Sequence, residues 1–181
     1  MKQGRLVIIT GSPGTGKSTT ASIVAQESDL SKSVHMHTDD FYDYIQKGAI
    51  PPFLPESQEQ NVIVIEAFLE AAKRFSRDYD VIIDGIVGPW FLEPWLKAVQ
   101  DHYEVHYIIL RASKEETMKR AINRTKLDED TNIELVERMW GQFTNLGIYE
   151  SHVIDTTNQS TEQSVSAIKA VIEKKSSLLT I

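Results

Sequence analysis

The chain has 181 residues and a mass of 20.5 kDa, a length typical of one domain with a single well-buried core. Its composition, 41% hydrophobic and 25% charged, lies in the globular range and argues against a disordered, fibrous or membrane-embedded chain. The formal charge of −7 repels polyanions, so we expect no nucleic-acid partner. The absence of cysteine excludes disulfides, thiolate metal sites and cysteine nucleophiles.

The amino terminus carries one apolar run, at residues 6–10, which is too short for the hydrophobic region of a signal peptide or for a membrane-spanning helix. We therefore expect a cytoplasmic protein with no membrane partner. The sequence contains no repeat, low-complexity block or linker. We predict a single domain over residues 1–181, present as a monomer or a homodimer.

Short β-branched runs alternate with segments of helical periodicity, a pattern that predicts β-α-β units and an α/β fold with a parallel sheet. Strands are predicted at residues 5–10, 33–37, 80–84, 103–110 and 152–155. Two early helices are predicted at residues 18–27 and 41–46. Residues 48–60 form an irregular, proline-containing loop, which we assign to the substrate side because long ordered loops are often functional.

Periodicity and capping predict the later helices. In residues 58–76 the apolar side chains recur at spacings of three and four, so we expect one stripe to face the sheet: Val62, Ile65, Phe68, Leu69, Ala72 and Phe75. Three more helices begin with capping-box spacing, in which two side chains three residues apart satisfy each other's backbone donors. These pairs are Ser113 with Glu116, Thr131 with Glu134, and Ser160 with Gln163.

Residues 11–18 fit the P-loop pattern of Gly, four residues, Gly, Lys, then Ser or Thr. Glycine permits the positive φ that turns backbone N–H groups around a phosphate at the start of a helix. Lys17 would reach the β and γ phosphates, and the Ser18 hydroxyl would ligate Mg²⁺. A chance match in this length is on the order of one in two hundred. We therefore predict ATP and Mg²⁺ as cofactors and a nucleotide-binding set of Gly11, Ser12, Pro13, Gly14, Thr15, Gly16, Lys17, Ser18 and Thr19.

Asp84 ends the apolar run at residues 81–83. A carboxylate at the carboxyl end of a central parallel strand lies where open α/β sheets bind ligands. Asp84 and Ser18 are our candidates for holding Mg²⁺, and Asp84 would do so through a water molecule. The alternative is a capping or turn aspartate, because Gly85 follows and Asp-Gly is a common turn pair.

Two further carboxylates, Asp39 and Asp40, follow the second strand. A kinase needs a group that orients an acceptor hydroxyl and takes its proton, and Asp39 is the better placed of the two. The alternative is that one of the pair caps the next helix.

Arg120 and Arg124 lie four residues apart on one predicted helix, just before the polar stretch 125–131. Arginines supplied from a mobile segment stabilise the charge that builds on a transferred phosphoryl group, so both are candidate catalytic residues. The alternative is a pair of solvated arginines that bond Glu116 and its neighbours.

His35 and His37 alternate along the second strand and therefore share one face. We favour packing or substrate contact over a metal site, because a metal would need a third ligand that the sequence does not identify. Several aromatic side chains could line an acceptor site or belong to the core: Phe41, Tyr44, Phe53, Trp90 and Trp95.

Together these features resemble the P-loop small-molecule kinases, nearest the chloramphenicol phosphotransferase-like branch, with the shikimate and gluconate kinases as relatives. Uncharacterised bacterial AAA-type P-loop ATPases are also similar. The resemblance covers nearly the whole chain and rests on residues 11–18, 37–41, 81–85, the Arg120 and Arg124 pair, and residues 154–157.

The resemblance implies a P-loop NTPase three-layer fold, with a five-stranded parallel sheet in order 2-3-1-4-5 and helices on both faces. It implies that Asp39 is the catalytic base and that a lid near residues 120–131 clamps the phosphates through Arg120 and Arg124. It places the adenine against Thr156, Thr157 and Asn158. We expect the acceptor to lie beside Asp39, Asp40, Phe41, Tyr44 and Gly85.

The leading hypothesis is an ATP- and Mg²⁺-dependent phosphotransferase that transfers the γ-phosphate to a hydroxyl of a small molecule, either a metabolite or an antibiotic. One alternative is a nucleotide-binding ATPase module that acts through a partner. Another is a nucleic-acid or nucleotide kinase, which the charge disfavours for nucleic acid. A GTPase switch is excluded because the guanine-reading Asn-Lys-x-Asp stretch is absent, and a large mechanochemical ATPase needs a longer chain.

Overall fold

The computed structural model describes residues 4–124 and 132–181, and within them a five-stranded sheet runs in the order β2-β3-β1-β4-β5. Every neighbouring pair is parallel. This confirms the predicted topology. The strands are β1 (Leu6–Gly11), β2 (Ser33–His37), β3 (Asp80–Asp84), β4 (Val105–Arg111) and β5 (Val153–Asp155).

Helices connect the strands and cover both faces of the sheet. They are α1 (Lys17–Gln26), α2 (Thr38–Asp43), α3 (Gln58–Phe75), α4 (Glu93–Gln100), α5 (Lys114–Arg124), α6 (Ile133–Gln142) and α7 (Thr161–Glu173). Short 3₁₀ turns lie at Pro55–Ser57, Pro89–Phe91 and Gly147–His152. No helix in the described ranges is both long and apolar enough to cross a membrane.

The core divides into two apolar clusters, one on each face of the sheet. Successive side chains of a strand point to opposite faces, so Leu6 and Ile8 of β1 pack with α3 and α4. Val7 and Ile9 pack with α1 and α7. Because helices cover both faces, the central strands are apolar runs without polar alternation, as in other buried parallel sheets. Apart from His106 and Tyr107 of β4, their polar residues lie at the strand ends.

Three strands differ from their predicted bounds by one or two residues. β1 extends to Gly11 because that residue still pairs with Leu110. β4 begins at Val105, since the Tyr103 amide donates to the Ala98 carbonyl and closes the end of α4. β5 begins at Val153 because the residues before it form a 3₁₀ turn.

The second helix was predicted at residues 41–46, and this prediction is wrong, because α2 begins at Thr38 directly after β2. Thr38 is buried against Gly85 at the end of β3, so the chain turns into the helix without an intervening loop. Asp39 and Asp40 therefore lie in the first turn of α2. Neither serves as the N-cap, a position that His37 occupies without a side-chain hydrogen bond.

The stripe predicted for α3 is only partly right. Val62 and Phe75 are 37% and 43% exposed. The buried residues of α3 follow the i, i+3, i+4 spacing of one helix face, and Asn61 and Val64 belong to that face. Val62 does not fit this spacing. The buried face comprises Asn61, Val64, Ile65, Phe68, Leu69 and Ala72.

One of the three predicted capping boxes is complete, the reciprocal pair of Ser160 and Gln163. At the second, the Ser113 hydroxyl accepts from the Glu116 amide at 3.2 Å, but the Ser113 amide donates to the Thr157 hydroxyl at 2.9 Å instead of to Glu116. The third prediction is wrong, since α6 is capped by Asn132, whose side chain accepts from the Leu135 amide at 3.0 Å. The predicted cap, Thr131, lies outside the described residues.

The contact between Gly85 and Thr38 predicts a large cost for adding one methyl group. A Cβ on Gly85 would lie 1.8 Å from the Thr38 hydroxyl oxygen. We expect Gly85→Ala to lower the free energy of unfolding by about 1–3 kcal/mol, as overpacking does elsewhere. Chemical denaturation measures this change. Gly141→Ala in α6 is the control, because no atom lies within 4 Å of its added Cβ. Equal stability of Gly85→Ala and the wild type would contradict the close packing of β3 on α2.

Candidate active site

The P-loop occupies the turn between β1 and α1. Gly16 has φ of +87° and precedes the first residue of α1, so the chain reverses into the helix at a position that disfavours other residues. The Thr15 hydroxyl and the Lys17 ammonium both donate to the Ser12 carbonyl, at 2.9 and 3.0 Å. These bonds fix the loop around the helix N-terminus, where backbone N–H groups and the helix dipole favour an anion.

An open cavity of about 530 Å³ lies against the P-loop. Residues 14–20 form one wall, and Arg120 and the start of α7 form the others. The size suits a small ligand. The sequence did not predict the contribution of α7 to this cavity. Its only signal was the capping box of Ser160, which located the helix start without showing that it faces the P-loop. The missed lining residues are Gln159, Ser160, Thr161 and Ser164.

Arg120 joins α5 to the loop that follows β5. Its Nε donates to Glu116 at 2.7 Å, which is the salt bridge expected if the arginine were only a surface residue. Its Nη2 donates to the Thr156 and Thr157 carbonyls at 2.9 and 3.4 Å. The structure therefore brings the predicted lid arginine to two residues of the predicted adenine loop. The side chain of Arg124 and the remainder of the predicted lid, residues 125–131, lie outside the described residues.

The loop after β5 is held by Asp155, which accepts from the backbone and side chain of Thr157 at 2.9 and 2.6 Å. These hydrogen bonds lower the pKa of Asp155. Thr156 is buried, and its hydroxyl has no hydrogen-bond partner among the described residues. Asn158 is exposed and borders a separate shallow cavity with Asp155. The prediction that Asn158 contacts adenine stays a prediction.

Asp84 lies at the end of β3, beside the P-loop. The Ser18 hydroxyl donates to its Oδ2 at 2.6 Å, so the two residues predicted to hold Mg²⁺ are adjacent. The Asp84 side chain is fully buried. Burial alone would raise its pKa, but hydrogen bonds from His35 and Ser18, with the charges of His37 and His35, hold the pKa below its ordinary value. An ionised carboxylate beside a hydroxyl is a set of hard oxygen donors that suits Mg²⁺.

His35 and His37 share one face of β2, as predicted, and both contact Asp84. His37 lies opposite Asp84 in the parallel register. The nitrogen–oxygen distances are 2.5 Å from His35 Nε2 to Oδ1 and 3.0 Å from His37 Nδ1 to Oδ2. Within residues 4–124 and 132–181, no group of three or more His, Cys, Asp or Glu side chains is arranged to hold a metal ion. The two histidines instead contact a carboxylate, which the sequence did not predict.

The first turn of α2 presents Asp39 and Asp40 to solvent beside this cluster. Burial, with the charge of Asp39 adding to it, raises the pKa of Tyr42 to about 12, so the phenol next to Asp39 keeps its proton. Phe41 is half-buried against Phe68, with ring centroids 5.0 Å apart. Of the residues predicted to contact the acceptor, Asp39 and Asp40 are therefore exposed, whereas Phe41 packs against the core.

The remaining aromatic candidates also divide. Trp95 is completely buried and belongs to the core, so it does not line an acceptor site. Tyr44, Phe53 and Trp90 are 69%, 49% and 45% exposed. Gly85 presents its Cα to the Thr38 side chain, at a distance that leaves no room for a side chain of its own.

The fold and the P-loop geometry define a P-loop nucleotide-binding protein. The sequence model of the AAA_18 family, described as an AAA domain, matches residues 7–141, which is more than half of the chain. The chain belongs to this family. No curated protein matches the sequence.

Solved structures with the same fold include a tunicamycin resistance protein from Deinococcus radiodurans, at 20% identity and a TM-score of 0.66, covering 98% of this chain and 99% of that one. A gluconokinase from Sinorhizobium meliloti 1021 has 14% identity and a TM-score of 0.68, with coverage of 97% and 95%. A sugar kinase from Janibacter sp. HTCC2649 has 20% identity and a TM-score of 0.64, with coverage of 95% of each chain. The resemblance to P-loop small-molecule kinases is thereby confirmed at the level of the fold.

Proposed function

We propose that the chain is an ATP- and Mg²⁺-dependent phosphotransferase that transfers the γ-phosphate of ATP to a hydroxyl of a small molecule. The observation that carries this proposal is the contact between Ser18 of the P-loop and Asp84 of β3, which joins a phosphate site to a candidate metal site. The candidate base, Asp39, lies in the first turn of α2, which follows β2 at the same edge of the sheet. Two of the structures with the same fold are named as kinases.

In the proposed reaction the P-loop amides and Lys17 bind the β and γ phosphates. Ser18 and Asp84 are the residues that would hold Mg²⁺, which would supply charge neutralisation at the phosphates. Asp39 orients the acceptor hydroxyl and accepts its proton as the oxygen bonds to the γ phosphorus. The bond from that phosphorus to the β–γ bridging oxygen breaks, and ADP leaves. Arg120 anchors the nucleotide side of the cavity.

The charge around α2 favours an acceptor without carboxylate or phosphate groups. Residues 38–60 contain one cation, Lys47, against five exposed carboxylates: Asp39, Asp40, Asp43, Glu56 and Glu59. Such a field disfavours anions and attracts cations. We therefore propose a neutral or cationic alcohol as the acceptor, whether it is a metabolite or an antibiotic.

ADP release in the presence of a panel of alcohols tests this function. Neutral, cationic and anionic polyols of similar size form the three arms, and ATP with Mg²⁺ alone is the reference. We expect stimulation in the neutral or cationic arm and little in the anionic arm. Release that no alcohol stimulates would favour the ATPase module, and stimulation confined to polynucleotide 5′ ends would favour a nucleic-acid kinase.

The proposed metal role of Asp84 predicts a variant that metal rescues. Asp84→Asn keeps a side chain of the same size but loses the negative charge near the metal. We expect the Mg²⁺ concentration for half-maximal rate to rise by about 10–100-fold, with part of the rate restored at saturating Mg²⁺. Asp101→Asn, an exposed aspartate at the end of α4, is the control. An unchanged Mg²⁺ requirement in Asp84→Asn would contradict this assignment.

A further inference from the structure

We infer that His35 and His37 are positioning residues that fix the Asp84 carboxylate in the orientation needed on the magnesium side of the phosphate site. The inference rests on the proposed function. It assigns a role to two histidines that the reaction described above does not use.

Two hydrogen bonds and one close contact, from two neighbouring elements, hold the two oxygens of this carboxylate. His35 Nε2 bonds Oδ1 at 2.5 Å, and the Ser18 hydroxyl donates to Oδ2 at 2.6 Å. His37 Nδ1 lies 3.0 Å from Oδ2, while its hydrogen bond goes to the Asp84 backbone carbonyl at 3.4 Å. His35 therefore holds one oxygen, Ser18 holds the other, and His37 ties the residue to β2. This arrangement links the strand directly to the residue predicted to ligate the metal.

The sheet register produces this convergence. His37 is paired with Asp84, and His35 is paired with Ile82, one pleat earlier on the same face. The nearer histidine uses Nδ1, which is close to the backbone, whereas the farther one reaches the carboxylate with Nε2. The ring planes are inclined at 33° and their centroids are 6.4 Å apart. The two rings thus approach the carboxylate from separate positions along β2.

A carboxylate without such partners would be poorly defined. The terminal torsion of aspartate has a broad preference, and a single bond from Ser18 would leave rotation about the Cβ–Cγ bond possible. The side chain of Asp84 is completely buried, whereas those of His35 and His37 are 29% and 37% exposed. The histidines therefore stand between the carboxylate and solvent. Partners of this kind around metal-binding carboxylates typically contribute 10–100-fold to metal affinity.

Amide substitutions separate positioning from simple space filling. In the matched variants, His35→Gln and His37→Asn, an amide N–H lies near the position of the ring nitrogen that contacts Asp84. In the exchanged variants, His35→Asn and His37→Gln, the amide N–H is too near to or too far from the backbone to take that position. Each variant is titrated with a non-hydrolysable ATP analogue by calorimetry, in Mg²⁺ and in EDTA, and its thermal midpoint is measured. His102→Asn is the control, because His102 is exposed and its φ of +67° suits asparagine.

We expect the matched amides to keep the gain in nucleotide affinity that Mg²⁺ provides. The exchanged amides should lose about 10–100-fold of that gain while nucleotide affinity in EDTA is unchanged. If the exchanged double variant does not fold, the single variant His35→Asn carries the test, because His35 makes the hydrogen bond to the carboxylate.

Two results would overturn the inference. In the first, folded exchanged variants keep the full Mg²⁺-dependent gain. In the second, affinity in EDTA and thermal midpoint fall together, and the histidines have only a structural role. A wild type whose nucleotide affinity does not respond to Mg²⁺ would instead overturn the metal requirement of the proposed function, and the inference with it.

Discussion

Lys17→Ala is expected to lower kcat/KM for phosphoryl transfer by about 10³-fold or more, because removing one preorganised charge-stabilising group typically costs 10²–10³-fold and Lys17 acts on two phosphates. Its ammonium lies 3.0 Å from the Ser12 carbonyl, held over the loop that would receive the phosphates. The phosphate charge that it would neutralise belongs to the bound nucleotide. In the free protein the lysine donates to a carbonyl of its own loop, so we expect only a small change in the thermal midpoint.

Steady-state kinetics, ATP affinity and thermal unfolding of the same preparation check this prediction. Lys97→Ala is the matched control, since Lys97 is an exposed lysine of α4 in an i, i+4 pair with Glu93. Wild-type turnover in Lys17→Ala would remove the P-loop from the mechanism. A large fall in the thermal midpoint would show that the lysine serves the fold instead.

Asp39→Asn is expected to lower kcat by about 10²–10⁴-fold, the usual size of a general-base contribution. The amide can still hydrogen-bond the acceptor hydroxyl but cannot take its proton, so ATP affinity should not change. Asp43→Asn, an exposed aspartate at the end of the same helix, is the control. Raising the Mg²⁺ concentration should not restore the rate of Asp39→Asn, whereas it should partly restore the rate of Asp84→Asn.

Comparing Asp39→Asn with Asp84→Asn tests which aspartate is the base and which lies on the metal side. If Asp39→Asn is the variant that metal rescues, the two roles are exchanged. If it retains the full rate with the true acceptor, the base is another group.

The sheet could be predicted from the sequence because its strands carry a strong local signal. β2 and β3 have the predicted bounds, and burial on both faces explains why residues 81–83 are uniformly apolar. The strand order came from the resemblance carried by the P-loop and the short motifs around it. The start of α2 could not be predicted, because it depends on the fit of Thr38 against Gly85, which lies 47 positions away in the chain.

In the site, too, features set by neighbouring residues could be predicted, and contacts between distant segments could not. The P-loop is contiguous, so its spacing alone located it. The alternation of His35 and His37 placed both rings on one face of β2, but only the register with β3 shows that this face contains Asp84. Likewise, the capping box located the start of α7, and only the packed structure brings Gln159 and Ser164 to the P-loop cavity.

The proposed reaction transfers the γ-phosphate of ATP to a small-molecule hydroxyl. Phosphorus NMR of a reaction with ATP, Mg²⁺ and the alcohol that best stimulates ADP release tests it most directly, because a phosphate monoester and inorganic phosphate give separate signals. We expect a phosphate monoester formed in equal amount to ADP, and no detectable monoester with Lys17→Ala. Inorganic phosphate formed in equal amount to ADP, with no phosphate monoester, would contradict it.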